Sequence, residues 1–169
     1  MKEVFLIRHA EKDSDGILNL AGQRAASELA ETLPAFARII ASPSERSKVT
    51  AKLMTGKEPA VDARADFSMS TVEKSLAMNA LAAKRGIPFL EAVQEYNDPE
   101  VLEGVRLQAL RLNQLVEEVL AQLNDGEKAL IVSHDLSISP AMSLKGIPLE
   151  SIDFLRGYVI DENGHVRRF

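Results

Sequence analysis

Phe5-Leu6-Ile7-Arg8-His9-Ala10-Glu11 is the stretch from which the rest of the chain can be read. Val4 to Ile7 is apolar at every position, the mark of a strand covered on both faces rather than one with a wet side. The run stops abruptly at an arginine and a histidine. In open α/β sheets ligands sit just beyond the carboxyl ends of the strands. A guanidinium and an imidazole at that point therefore read as parts of a site. Two distant stretches end in the same manner: Arg38-Ile39-Ile40-Ala41-Ser42-Pro43-Ser44-Glu45-Arg46 and Leu130-Ile131-Val132-Ser133-His134.

Working outward, strands are predicted at Lys2–Ile7, Arg38–Ala41 and Ala129–Val132, with Ala60–Asp62 as an edge strand. Helical spacing over Leu20–Leu33 puts Leu20, Ala21, Ala25, Leu29, Ala30 and Leu33 on one inward face, and Pro34 ends the helix. Ser42-Pro43-Ser44-Glu45 reads as a helix start. Ser42 serves as N-cap, Pro43 lies in the first turn and Glu45 closes a capping box. Arg46 then falls in the first turn of a helix that runs to Met54. Ser70–Arg85 reads as a helix with Val72, Leu76, Ala80 and Leu81 inward, closed by Gly86. Pro88–Asn97 reads either way. Asp98 caps the longest helix, which keeps its period to Asn124 and stops at Asp125-Gly126. A short helix is predicted over Pro140–Lys145, and strand material at Ile152–Leu155 and Tyr158–Asp161. Glu162-Asn163-Gly164 makes a hairpin turn into a last strand, His165–Phe169. Strands alternating with helices predict an α/β fold: a three-layer α/β/α sandwich about a mostly parallel central sheet. The 169 residues suit a single domain, 1–169.

Composition narrows the partners. The net charge of −5 argues against nucleic acid and anionic membrane. Cysteine is absent, which rules out disulfides and thiolate chemistry. No apolar run approaches the roughly 18 residues of a membrane span, and Val4 to Ile7 is too short for a signal-peptide core. A cytoplasmic protein is the expectation.

If Arg8, His9, Arg46 and His134 converge, two planar guanidinium forks and a helix first turn frame a pocket for phosphate oxygens. Two histidines permit a division of labour. One, neutral, attacks phosphorus through a bare ring nitrogen, while the other, protonated, stabilises the oxygens. No metal cluster is visible in the sequence, so no metal or other cofactor is expected and the arginines take over charge neutralisation. Ser133-His134-Asp135 is not a hydrolase triad, because no G-x-S-x-G elbow accompanies it. Gly56-Lys57 is not a P-loop. His165 is expected exposed on the last strand. Met69, Met78 and Met142 are expected to fill the core.

Leu6-Ile7-Arg8-His9-Ala10-Glu11, Leu18-Asn19-Leu20-Ala21-Gly22, Ser42-Pro43-Ser44-Glu45-Arg46 and Val132-Ser133-His134 occur in an order that resembles the histidine phosphatase superfamily, with its phosphoglycerate mutase-like fold. The resemblance spans essentially the whole chain. It implies His9 as the nucleophile that becomes phosphohistidine, with Arg8, Arg46 and His134 holding the phosphoryl group. Three positions depart from the family pattern: Ala10 and Asp135 stand where glycine is usual, and Asn19 where threonine is. Asn19 and Asp135 are carried with the phosphate-binding set. An additional carboxylate at Asp135 repels substrate unless it turns away or is paired. The proton donor is expected in the middle region, at Asp66 first and Glu73 second. The implied activity is metal-independent hydrolysis of a phosphomonoester or phosphoprotein, phosphohistidine included, with inorganic phosphate as product. A mutase moving phosphate between hydroxyls, and a non-catalytic phospho-ligand binder, are the alternatives. The short Lys12–Ile17 loop leaves the site open and favours hydrolysis or a large substrate such as a phosphoprotein.

Overall fold

A computed structural model describes residues 1–67 and 71–169. Strands β1 (Glu3–Arg8), β2 (Arg38–Ala41), β3 (Ala60–Val61), β4 (Lys128–Ser133), β5 (Gly157–Asp161) and β6 (Val166–Arg168) form one sheet in the order β3-β2-β4-β1-β5-β6. The β1–β4, β2–β4 and β2–β3 pairs are parallel, while β5 and β6 add antiparallel strands beyond β1. The fold is α/β, as predicted.

Side-chain alternation on β1 explains the layers. Val4 and Leu6 pack with α5 (Pro99–Gln122) and α6 (Asp135–Ser143) on one face. Phe5 and Ile7 pack with α1 (Leu20–Ala30) and α2 (Glu45–Thr55) on the other. Both faces are covered, so an unbroken apolar run is what this strand requires. A smaller cluster joins α3 (Val72–Arg85) and α4 (Phe89–Tyr96) to the start of α5, through Met78, Leu90, Val93, Val101 and Val105, and reaches Leu136. Met78 and Met142 are fully buried, as expected. Met69 and the predicted helix start at Ser70 lie outside the described residues.

Several predictions are corrected. On α1 the expected inward residues Leu20, Ala21 and Ala25 are exposed, and Gly22 and Ala26 are buried instead. The reason is proximity: a Cβ on Gly22 would lie 2.2 Å from the carbonyl oxygen of Glu11. The smallest side chains face inward because the helix backbone presses on the segment that carries His9. Gly22→Ala is therefore expected to cost about 1–3 kcal/mol and to lower turnover, as checked by urea denaturation and a phosphatase assay.

On α3, Val72 and Leu76 point to solvent, and Met78 with half-buried Leu81 faces inward. Apolar residues lie all round this helix, so periodicity alone did not select its buried side. The N-cap of α2 is Ser44, whose hydroxyl accepts from the Ser47 N–H. Glu45 is thus the first helical residue and no capping box forms. Pro88–Asn97 resolves as α4, ended by Asn97 in the left-handed region. α6 starts at Asp135, not Pro140; it is buried along Asp135–Met142, and packing outweighs the proline within it. Ile152–Leu155 is not a strand: Leu155 adopts φ 61°, which breaks the extended backbone before β5 begins at Gly157.

Candidate active site

Strand register brings the basic residues together. Arg8 pairs with Ser133 across β1 and β4, and the His9 N–H donates to the Ser133 carbonyl at 3.1 Å. The next residue on each strand is a histidine, so His9 and His134 emerge side by side with ring centroids 5.3 Å apart. On the far side of β4, the Ser42 N–H donates to the Val132 carbonyl. Four residues later, in the first turn of α2, Arg46 reaches the same point.

His9 is 3% exposed. Its Nδ1 lies 2.8 Å from the Ala10 carbonyl oxygen, and its Nε2 accepts from Arg46 Nε at 3.2 Å. A carbonyl only accepts and a guanidinium only donates, so the proton sits on Nδ1 and the lone pair on Nε2. Burial pushes the imidazole down to about 3, against the Ala10 hydrogen bond that favours the charged ring; His134, Arg46 and Arg8 lower it further. The ring is neutral near pH 7, with its unprotonated nitrogen facing Arg46. Ala10 occupies the usual glycine position without difficulty. It is fully buried, and its N–H donates to Thr50 Oγ1 at 3.0 Å.

His134 Nδ1 lies 3.4 Å from Arg46 Nη2, so one guanidinium spans both imidazoles. His134 Nε2 faces Ser42 Oγ at 2.8 Å and Asp66 Oδ1 at 3.4 Å. Burial lowers the His134 pKa, with Asp66 opposing. Burial alone would raise the Asp66 carboxyl, but His134, the Phe67 N–H and Arg46 outweigh it and hold it below the usual carboxylate range.

Arg8 donates to the Ile152 carbonyl at 2.6 Å, and its guanidinium carbon lies 4.1 Å from the Phe154 ring centroid. Its buried Nε has no hydrogen-bond partner among the described residues, a deficit of about 1–3 kcal/mol. The Asp135 carboxylate is paired: it accepts from Ser139 Oγ at 2.8 Å, Ser151 Oγ at 2.5 Å and the Ile152 N–H at 3.0 Å. It lines the cavity, yet its hydrogen bonds fasten the 151–155 loop that carries the Arg8 contacts.

Asn19 lies outside the cavity lining. Its side-chain oxygen accepts from the Gly22 N–H at 2.8 Å and caps α1. Glu73 is exposed in the first turn of α3, also outside that lining. His165 is exposed and paired with Asp161 at 3.2 Å. The cavity measures about 570 Å³, and its walls include Lys12, Phe67, Phe89 and Phe154, none of which the sequence marked as site residues. Ser42 and Thr50 were also missed, because their roles depend on contacts between separate elements. Among the described residues, no group of three or more His, Asp or Glu is placed to hold a metal, and no helix is long and apolar enough to cross a membrane.

The buried histidines couple stability to pH. Both pKa values are lower folded than unfolded, and for His9 the unfolded chain binds more protons between about 3 and 6.5. The resulting stabilisation is complete above the unfolded value and is lost as pH falls through that window. Stability is expected to drop between pH 7 and pH 5. In His9→Asn the drop should be smaller, as checked by denaturant titration at both values.

The chain belongs to the histidine phosphatase superfamily (branch 1), whose model matches residues 4–159. Among curated proteins, none matches the chain. Solved structures share its fold. YhfR of Bacillus stearothermophilus is 23% identical, with a TM-score of 0.67 over 99% of this chain and 95% of its own. A mycobacterial glucosyl-3-phosphoglycerate phosphatase solved with VO3 is 18% identical, with a TM-score of 0.67 over 100% and 98%. A mutant phosphoserine phosphatase of Entamoeba histolytica solved with phosphoserine is 20% identical, with a TM-score of 0.66 over 99% and 95%.

Proposed function

We propose that this protein is a metal-independent phosphatase that passes the phosphoryl group of a phosphomonoester to Nε2 of His9 and then to water. The observation that carries the reading is the fixed tautomer of His9. Its Nδ1–H is committed to the Ala10 carbonyl, and its Nε2 lone pair faces Arg46. That carbonyl also supports the positive charge the ring acquires when Nε2 bonds to phosphorus.

Arg8 and Arg46 hold the equatorial oxygens. The arriving dianion favours protonation of His134, and Asp66 is the carboxylate that pairs with the charged ring. The His134–Asp66 pair then carries one more proton than in the free enzyme. In the first step the N–P bond forms, the P–O bond breaks, and this proton goes to the departing oxygen. In the second step water attacks phosphorus, gives a proton to the same pair, and releases inorganic phosphate and neutral His9.

The size of the cavity favours a phosphorylated small molecule over a phosphoprotein. The test is hydrolysis of 4-nitrophenyl phosphate, with and without EDTA, alongside product analysis with 3-phosphoglycerate. Phosphate release unaffected by EDTA is expected. Isomerised phosphoglycerate without release would mean a mutase. Vanadate binding without turnover of any ester would mean a binding protein.

A further inference from the structure

Three of the chain's six phenylalanines gather at one cavity. The other three, Phe5, Phe36 and Phe169, stack edge-on within the α1–α2 side of the core, with centroids 5.3 and 5.6 Å apart. The cavity set is different. Phe67, Phe89 and Phe154 are only half-buried, and each lines the space beyond the phosphoryl site.

Their placement tracks the reacting groups. Phe67 lies 4.8 Å from the His134 ring, His134 lies 5.3 Å from His9, and His9 lies 5.8 Å from Phe154. Each of the two phenylalanines therefore lies beside one of the paired imidazoles. Phe89 continues the apolar wall on α4 together with Leu90, and Leu136 adds to it from α6. The chain invests backbone strain in this arrangement. Leu155 takes a left-handed φ of 61°, which costs about 1–3 kcal/mol, and sits buried in the α1–α2 core while Phe154 lines the cavity.

We infer that this half of the cavity is a leaving-group slot for a small phosphomonoester whose alcohol carries a flat apolar ring, an aryl or arylalkyl phosphate. An aromatic ring entering this part of the cavity meets Phe67, Phe89 and Phe154 and displaces water from their exposed surfaces. A sugar or glycerol phosphate would gain nothing comparable from the three phenylalanines and would rely on the polar part of the lining, which includes Lys12, Ser14, Asn79 and Asp153. The inference rests on the phosphatase reading for the position of phosphorus, but its test need not.

Aryl esters leave more readily for chemical reasons, so turnover of nitrophenyl esters alone says nothing about the slot. Binding of benzylphosphonate and methylphosphonate, measured by calorimetry, removes chemistry from the comparison. Benzylphosphonate is expected to bind about 10- to 100-fold more tightly. Phe67→Leu and Phe89→Leu should each shrink that ratio by about 3- to 10-fold, while methylphosphonate binding reports whether the phosphoryl site survives the change. Turnover of 2-phenylethyl phosphate against glycerol 3-phosphate, two primary alkyl esters, should show the same preference in kcat/KM.

Equal binding of the two phosphonates to the wild-type protein would overturn the slot even if both esters are hydrolysed. Tight benzylphosphonate binding with no ester turned over would keep the slot and overturn the phosphatase reading. Should either variant fail to fold, the wild-type ratio decides.

Discussion

His9→Asn is expected to lower kcat/KM on 4-nitrophenyl phosphate by about 10⁴-fold or more, the scale of losing a covalent nucleophile. Asparagine keeps a polar group of modest size at the end of β1, but it has no ring nitrogen that can bond to phosphorus. His134 is a poor substitute. His134 presents Nδ1 to Arg46 and Nε2 to Ser42 and Asp66, so both of its nitrogens are engaged. The variant should fold, because asparagine is a neutral polar side chain replacing an imidazole that is itself neutral near pH 7. Loss of activity with unchanged far-ultraviolet circular dichroism is the expected pair of results. A variant retaining a tenth of wild-type activity would mean that another group, or water directly, attacks phosphorus.

Arg46→Lys is expected to lower kcat/KM by about 10²–10³-fold, comparable to removing one preorganised donor from an oxyanion site. The change keeps the charge, so it tests geometry. Arg46 reaches His9 Nε2 through Nε and His134 Nδ1 through Nη2, at 3.2 and 3.4 Å, from a single plane. A lysine ammonium is a point charge on a flexible stem and cannot span both rings. A loss of less than about tenfold would show that charge alone suffices, and that the fork is not what orients the phosphoryl group.

Much of this site could be read from the sequence because its principal residues lie at the ends of strands. A buried apolar run that stops at Arg8-His9, and another at Ser133-His134, announces both a strand and the polar groups at its tip. Parallel pairing of β1, β2 and β4 then makes their ends coincide. The first turn of α2 was also legible, although its cap moved from Ser42 to Ser44 and so released Ser42 to His134.

Other features left no local trace. Asp135 could be suspected of repelling phosphate, but its partners Ser151 and Ile152 lie more than a dozen residues onward, in a segment without regular secondary structure. Gly22 was quoted as part of a motif, yet its contact with Glu11 arises from how closely a helix backbone meets a loop. The aromatic wall draws Phe67, Phe89 and Phe154 from three separate segments, none with a periodic signature.

The central claim is that the phosphoryl group rests on His9 Nε2 between substrate and water. The most direct measurement is rapid-quench trapping at alkaline pH with a ³²P-labelled ester, and then peptide mapping. An acid-labile, alkali-stable label on the peptide containing His9, absent in His9→Asn, is the expected result. Burst kinetics with no labelled protein, or a label mapped to another residue, would contradict it.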